Sequence, residues 1–174
     1  AMRNTRPDII AKGQGCWIWD VDGHKMLDGV AGLWSSNLGH SCQPVRDAIV
    51  AQLDELPFFN TFRGTTHPRA IELSTQLVEM MRPDGVAAVM FGNGGSDSVE
   101  AALKIARKFG HDKGIARPEI IVFEKAFHGR SIATLSATGN VKVQQGFEPL
   151  VEGFVRVPLN DIAAMRSIAA SNPN

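Results

Sequence analysis

The sequence has no tyrosine, only two cysteines and no surplus of either charge among its 174 residues. Cys16 and Cys42 cannot build a disulfide framework and lack the Cys-x-x-Cys spacing of a zinc site, so we interpret both as reduced thiols. The 18 basic residues balance the 18 acidic residues and form no basic cluster. Nucleic acid and membrane surfaces are therefore not expected as partners, since both require a local excess of lysine and arginine.

Long apolar runs are also absent. No run approaches the roughly 18 residues that a membrane span needs, and residues 1–15 lack the apolar centre of a signal peptide. These absences predict a cytoplasmic protein. The histidines show no metal-ligand spacing, so no metal site is expected.

Turn residues and helical periodicity organise the first 85 residues. The dipeptide Asp22-Gly23 between two apolar runs predicts a β-hairpin with a tight turn. Pro44 precedes apolar residues at helical spacing up to Pro57, which predicts a helix. A second helix is expected between residues 66 and 83.

From residue 86 onward, apolar strands alternate with helices, which predicts an α/β architecture with a mostly parallel sheet. The change of pattern falls at Pro83-Asp84-Gly85, which we interpret as a domain or subdomain boundary. Asp97 and Glu100 have the spacing of a capping box, and Gly110 is the predicted end of that helix. The expected strands are residues 86–91, 120–123 and 154–157, and further helices are expected from Ser131 and after a cap at Asp161.

Glycines follow the first of these strands directly, in the segment Gly92-Asn93-Gly94-Gly95-Ser96-Asp97. Glycines at a strand-to-helix turn let backbone N–H groups approach a phosphate, and Ser96 adds a hydroxyl. The segment is not a dinucleotide fingerprint, because Asp97 takes the place of the third glycine, and it lacks the Gly-Lys-Ser/Thr of a P-loop. An anion site and a purely structural turn both stay open.

A second candidate segment, Phe127-His128-Gly129-Arg130, follows the strand at 120–123, at the edge where open α/β sheets bind ligands. Phe127 suits either stacking on a flat cofactor or core packing, and His128 suits a backbone hydrogen bond. Arg130 suits either a bound carboxylate or solvent. Trp34 lies among small and polar residues typical of a pocket rim, with core packing as the alternative.

Taken in order, the hairpin ending in Asp20-Val21-Asp22-Gly23, residues 29–40, the Gly-Gly-Ser-Asp helix start and the Phe-His-Gly turn resemble class III aminotransferases. These are pyridoxal-phosphate enzymes of fold type I, and the resemblance covers essentially the whole chain. It implies that residues 1–50 belong to the small domain and that residues 51–174 form the first part of the large, cofactor-binding domain. It also implies a homodimer.

The same resemblance implies the roles of single residues. In the family, the helix start binds the cofactor phosphate, the aromatic side chain of the turn stacks on the pyridine ring, and the rest of that turn shapes the site. Cofactor binding is thus implied for Gly95, Ser96, Phe127, His128 and Gly129, and substrate binding for Trp34 and Arg130.

Two subfamilies are mixed in the sequence. Residues 29–81 look like ω-amino acid:pyruvate aminotransferases, in which the tryptophan lines the substrate pocket. Residues 119–161 look more like acetylornithine aminotransferases, in which the arginine meets a substrate carboxylate. The resemblance therefore implies transfer of an amino group from an amine, an ω-amino acid or an acetylornithine-like donor to a keto acid, and it leaves the donor open.

The family's Schiff-base lysine, and the aspartate that pairs with the pyridinium nitrogen, have no counterpart in this chain. Lys104 and Lys125 are nearest to the site in sequence, but neither matches the family's position. Because that lysine both anchors the cofactor and moves the reacting proton, the chain is expected to be a truncated, inactive portion when alone. No catalytic residue is assigned.

Two other functions remain compatible with the residues. A non-catalytic α/β module that holds a phosphate-bearing ligand, or no ligand, would use Trp34 and Phe127 as core. A nucleotide-dependent oxidoreductase is disfavoured, because the third glycine of its fingerprint is missing and no suitable acidic residue follows.

Overall fold

The computed structural model describes residues 7–171, which fall into two compact units. The first unit is Ala1–Thr75 and the second is Gln76–Asn174, so the division lies inside the helix Pro68–Met80. Each unit contains its own sheet, with three strands in the first and two in the second.

The sheet of the first unit is antiparallel and consists of β1 (Ile10–Gln14), β2 (Trp17–Asp20) and β3 (Lys25–Leu27). The predicted hairpin is confirmed, because β2 pairs with β3 around Asp22-Gly23 and Gly23 takes a φ of 88°. The carboxylate of Asp20 accepts the N–H groups of Asp22 and His24 and so fixes the turn. Strand β1 is an addition to the prediction.

The remaining elements of the first unit are one short turn and the predicted helices. They are α1 (Ala31–Trp34), α2 (Gln43–Glu55) and α3 (Pro68–Met80), of which α3 crosses into the second unit. Pro44 lies in the first turn of α2, where the N–H that it lacks would have no helical partner. Both predicted helices are confirmed.

The second unit has a parallel strand pair, β4 (Ile120–Phe123) and β5 (Phe154–Val157), as predicted. Its helices are α4 (Gly95–Asp112), α5 (Ile132–Ala137), α6 (Val141–Gln144), α7 (Ile162–Ser171) and a short 3-10 helix, Arg82–Asp84. The predicted cap of α7 is formed, because Asp161 Oδ1 accepts the N–H of Ala164 at 2.8 Å. Within residues 7–171, no helix is both long and apolar enough to cross a membrane.

The buried strand predicted at residues 86–91 is not formed. Val86 and Val89 are half-buried, whereas Met90 is 61% exposed and Phe91 is 47% exposed. A strand needs a neighbour for its backbone N–H and C=O groups, and no described strand pairs with this run. The apolar sequence alone cannot supply that partner.

Helix α4 also differs from the prediction at both ends. Gly94 is its N-cap and no side chain caps it, so the capping box of Asp97 and Glu100 is not formed. The helix continues through Gly110 to Asp112. Gly110 is buried where the helix passes Pro118, and an added Cβ would lie 2.6 Å from the Pro118 ring. The glycine therefore allows close packing and does not end the helix.

Gln144 closes the carboxyl end of α5. Its buried Nε2 donates to the carbonyl groups of Leu135 at 3.0 Å and Thr138 at 2.7 Å, where the helix end leaves acceptors free. We expect Gln144→Ala to lower the free energy of unfolding by about 2 kcal/mol, because buried carbonyls lose their donor. Urea unfolding followed by circular dichroism measures the loss. The exposed neighbour serves as control: Gln145→Ala should change stability by less than about 0.5 kcal/mol, and equal losses would contradict the capping role.

Candidate functional site

The two segments predicted to bind cofactor meet in the second unit. Ser96 lies in the first turn of α4, and its Oγ accepts the backbone N–H of Arg130 at 3.1 Å. Arg130 ends the turn at residues 125–130, which begins two residues after the end of β4. The helix start and the turn therefore lie side by side at the carboxyl end of a parallel strand, the position at which open α/β sheets bind ligands.

The amino end of α4 offers hydrogen-bond donors. Helix geometry leaves the N–H groups of Gly95, Ser96 and Asp97 without intrahelical partners. The Ser96 oxygen accepts from Arg130, and its own hydroxyl proton can be donated to a further acceptor. Several donors at the positive end of a helix dipole bind an anion such as a phosphate.

Hydrogen bonds hold the turn at residues 125–130 and the residue that follows it from two sides. On one side, the hydroxyl of Thr138 accepts the N–H of His128 at 3.1 Å. On the other side, Glu100 accepts the hydroxyl proton of Ser131. Glu100 lies one helical turn beyond Ser96, so one face of α4 contacts the segment at two points.

Gly129 lies where the turn presses against α4. Its φ is 139°, a conformation that other L-residues rarely adopt. A Cβ at this position would lie 2.5 Å from Ser96 Oγ and 2.6 Å from the hydroxyl oxygen of the buried Thr134. Glycine is therefore required at this position by both backbone conformation and space.

Two side chains of the turn are exposed. Phe127 is 69% exposed, and Arg130 is exposed as well. The Nε2 atom of His128 is buried and has no hydrogen-bond partner within the described residues. Because an unpaired buried polar atom costs about 1–3 kcal/mol, it marks a position that a further polar group would stabilise. Helix donors, an exposed ring and an unpaired nitrogen together fit a ligand with a phosphate and a flat polar ring.

The residues that support this turn carry no signal in the sequence that identifies them as site residues. The sequence pattern places Glu100 in a capping box and gives no signal for Thr134 or Thr138. Their roles depend on contacts across 10 to 31 residues of chain, which no local pattern reveals. The one available signal is the four-residue spacing of Ser96 and Glu100, which places both on one helix face.

The opposite end of the strand pair carries a different cavity. It has a volume of about 270 Å³, and Arg107, Arg117 and Glu152 are among its lining residues. Arg117 contacts the carboxylate of Glu152 at 3.5 Å, and both side chains are largely exposed. No group of three metal-ligating side chains was found in the described part of the chain.

Trp34 belongs to the first unit and ends α1, which is a single turn of left-handed helix. The φ angles from Ala31 to Trp34 are 50°, 60°, 66° and 64°, and the N–H of Trp34 bonds to the carbonyl of Val30 at 2.8 Å. A left-handed conformation costs about 1–2 kcal/mol for each residue other than glycine. The Trp34 side chain is 77% exposed, so it is not part of the core of this unit.

The carboxylate of Asp28 supports this turn. It accepts the N–H of Gly32 at 2.7 Å and a hydrogen bond from the imidazole Nε2 of His40, also at 2.7 Å. The hydrogen bond from His40 is the main reason that the pKa of Asp28 lies below its ordinary value of 3.8. The ionised form of Asp28 is therefore the form that the fold stabilises.

Acid is expected to destabilise the first unit through Asp28. A carboxyl group with a lowered folded pKa stabilises the fold above its unfolded pKa of about 4 and loses that contribution as the pH falls through the folded pKa. The variant Asp28→Asn cannot titrate, so its melting temperature should fall less than that of the wild type between about pH 5 and about pH 2. Thermal melts across this range measure the difference, and parallel curves would show that Asp28 makes no such contribution.

Comparison with known proteins assigns the family. A family model described as aminotransferase class-III matches residues 2–172. The chain belongs to the class-III aminotransferase family. This membership confirms the resemblance seen in the ordered motifs and places the helix start and the turn in a family of amino-group transferases.

Relatives and solved structures agree with this assignment. The acetylornithine aminotransferase of Nitrosomonas europaea is 42% identical over 167 residues, which are 95% of this chain and 41% of the relative. The acetylornithine aminotransferase of Parasynechococcus marenigrum is 44% identical over 166 residues, 95% of this chain and 38% of the relative. An amine transaminase from an uncultivated Pseudomonas species, solved in its PLP-bound form, matches with a TM-score of 0.85 and 38% identity over 91% of this chain and 36% of its own.

The structural match confirms the predicted fold class, an α/β fold of the fold type I transferases. This class-III aminotransferase chain spans about two fifths of the length of the curated relatives it matches. The two subfamily likenesses recur in the comparisons, since these curated relatives are acetylornithine aminotransferases and the solved structure is an amine transaminase.

Proposed function

We propose that this chain forms the phosphate-binding and ring-stacking part of a pyridoxal-phosphate-dependent transaminase. The complete enzyme moves an amino group from an amine, an ω-amino acid or an acetylornithine-like donor to a keto acid. The observation that carries the proposal is the hydrogen bond from the N–H of Arg130 to Ser96 Oγ, which joins the helix start to the Phe-His-Gly turn. Family membership supports the same assignment.

The phosphate is bound at the amino end of α4. The N–H groups of Gly95 and Ser96 donate to its oxygens, and the Ser96 hydroxyl adds a third donor while Arg130 fixes the position of its oxygen. The helix dipole stabilises the negative charge. Binding through backbone groups explains why small residues suffice at these two positions.

The ring is bound by the turn. Phe127 is exposed and supplies a flat apolar face, and the unpaired Nε2 of His128 offers a hydrogen bond to a polar group of the loaded site. When bound, pyridoxal phosphate supplies the electron sink for proton removal from the amino donor. Gly129 lets the turn lie close to α4, so that Phe127 and His128 are placed beside the phosphate site.

Two residues contribute to donor specificity, and each favours a different class of donor. The guanidinium of Arg130 is exposed and suits the carboxylate of an acetylornithine-like donor. The exposed indole of Trp34 suits the apolar part of an amine or ω-amino acid. We propose both as substrate residues.

Several properties implied by the resemblance stay predictions. The chain alone is expected to lack transaminase activity, because none of its lysines matches the family's Schiff-base position. The complete enzyme is expected to be a cytoplasmic homodimer. The assignment of residues 1–50 to the small domain and residues 51–174 to the large domain also stays a prediction.

A chimaera tests the activity directly. This chain replaces the matching segment of the Nitrosomonas europaea relative, which supplies the remainder of the enzyme. We expect transaminase activity with acetylornithine or with an amine that carries an aryl group on the CH bearing its nitrogen, called the aromatic amine below, and at least tenfold less activity in Ser96→Ala. Ser74→Ala is the control, because Ser74 is also a helical serine but lies on α3.

The chimaera also separates the two substrate residues. Arg130→Ala should raise the KM for acetylornithine, and Trp34→Ala should raise the KM for the aromatic amine. A folded chimaera that binds a phosphate ligand but transfers no amino group from either donor would favour the non-catalytic module.

A further inference from the structure

We propose that Asp28 and His40 are positioning residues that hold α1 in its left-handed turn and thereby fix the presentation of Trp34 to the amino donor. This inference rests on the proposed function, in which Trp34 contacts that donor. Neither Asp28 nor His40 would itself touch substrate or cofactor.

The Asp28 carboxylate is built into the turn. Its side chain is 5% exposed, and its two oxygens accept the N–H of Val30 at 3.2 Å, the N–H of Gly32 at 2.7 Å and the Nε2 hydrogen bond of His40. A carboxylate with three donors in one place fixes the backbone of residues 30–32. This backbone leads directly into the left-handed residues.

His40 connects this carboxylate to the sheet. Its backbone exchanges two hydrogen bonds with Gly15, of 2.9 and 2.8 Å. Its ring packs on Gly13 of β1, where an added Cβ would lie 2.6 Å from the ring. The contacts with Gly13 and Gly15 therefore fix the imidazole relative to the sheet. The imidazole in turn fixes the carboxylate of Asp28.

The left-handed turn leaves two large apolar side chains exposed at the surface. Leu33 is 65% exposed and Trp34 is 77% exposed, although burial would stabilise both. A run of left-handed residues persists only where the surroundings over-determine it, and such strain is concentrated at binding sites. Without Asp28, the chirality of the chain favours right-handed backbone, which would point Trp34 elsewhere.

The first unit contains a natural control. Asp20 makes a similar set of bonds at the hairpin turn, accepting the N–H groups of Asp22 and His24 and the ring hydrogen bond of His24 at 2.8 Å. The residue with a positive φ in that turn is Gly23, for which the conformation costs nothing. Asp20→Asn therefore removes an equivalent carboxylate without touching a strained segment.

Hydrogen exchange of the full chain, followed by mass spectrometry, measures how well the backbone amides of the turn are protected. We expect Asp28→Asn to speed exchange in residues 29–36 at least tenfold while α2 keeps its wild-type rate. Asp20→Asn should leave residues 29–36 unchanged. His40→Gln is the milder second variant, because it removes the ring hydrogen bond and retains the backbone bonds to Gly15, and it should speed exchange in the same segment. Unchanged exchange in both Asp28→Asn and His40→Gln would overturn the proposal.

A rescue variant tests whether Asp28 acts by holding the left-handed turn or by stabilising the first unit in another way. Glycine adopts the left-handed conformation without steric cost, so adding Leu33→Gly to Asp28→Asn should restore much of the lost protection. If Asp28 stabilises the unit in some other way, the double variant will exchange as fast as Asp28→Asn, and the role in holding the turn is refuted.

Kinetics of the chimaera test the link to Trp34. We expect Asp28→Asn and Trp34→Ala to raise the KM for the aromatic amine by similar factors, and the double variant to add little, because both act through one side chain. If Asp28→Asn speeds hydrogen exchange in the turn but leaves the KM unchanged, while Trp34→Ala raises the KM, the positioning role is overturned. If Trp34→Ala itself leaves every donor KM unchanged, the proposed substrate role of Trp34 fails instead, together with the positioning role that rests on it.

Discussion

Gly129→Ala is expected to destabilise the second unit by about 2–4 kcal/mol, from the cost of a positive φ and from overpacking against neighbouring side chains. The added Cβ would lie 2.5 Å from Ser96 Oγ and 2.9 Å from the Cβ of Thr134, which is fully buried and has little freedom to move. Urea unfolding of the chain, followed by circular dichroism, measures the loss.

The control for this variant lies on the partner segment. Gly95 has open space around it and an ordinary φ, so Gly95→Ala should leave the free energy of unfolding within about 0.5 kcal/mol of the wild type. Similar losses in Gly129→Ala and Gly95→Ala would show that the turn does not press against α4.

Phe127→Ala is expected to weaken the binding of pyridoxamine phosphate about tenfold or more, because stacking of a flat ring on an aromatic side chain contributes about 1–3 kcal/mol. Pyridoxamine phosphate is used because it carries an amine in place of the aldehyde and cannot react with lysine side chains. Isothermal titration of the chain measures the affinity.

Phe109→Ala is the matched control for that experiment. Phe109 lies on α4 and is 64% exposed, close to the 69% of Phe127, but it lies fourteen positions along the helix from the donors at Gly95. The affinity of Phe109→Ala should equal that of the wild type. Equal losses in both variants would mean that the ring is not bound by the turn.

Local patterns sufficed for much of the fold. The hairpin at Asp22-Gly23, the helices bounded by prolines and the strands β4 and β5 follow from turn chemistry and periodicity, because these elements are specified within a few residues. The helix cap at Asp161 belongs to the same class. Each is marked by a pattern in its own local sequence.

The elements that local sequence patterns did not predict correctly depend on contacts with other parts of the chain. Strand β1 contains no alternation of apolar and polar residues, and its pairing with β2 forms it. The run at residues 86–91 has the composition of a strand and no neighbour to pair with among the described residues. The left-handed turn of α1 goes against the preference of Ala31, Leu33 and Trp34, so propensity could not have revealed it.

The candidate site was found in sequence because its chemistry is concentrated in two short motifs. The Ser96 motif and the Phe127 turn were predicted separately, and the structure joins them through one hydrogen bond. What could not be predicted is the support around them, from Glu100, Thr134 and Thr138, because those contacts are set by how α4 and α5 pack.

In the proposed function, the amino end of α4 binds the phosphate of a flat-ring cofactor. The most direct measurement compares the affinities of pyridoxamine phosphate and pyridoxamine for the wild-type chain and for Ser96→Ala. Phosphate binding at this helix end predicts that the phosphate strengthens binding at least tenfold in the wild type and that Ser96→Ala loses a large part of this advantage, because hydrogen bonds to a charged group contribute about 1.5–3 kcal/mol. Equal affinities of the two compounds for the wild-type chain would contradict it.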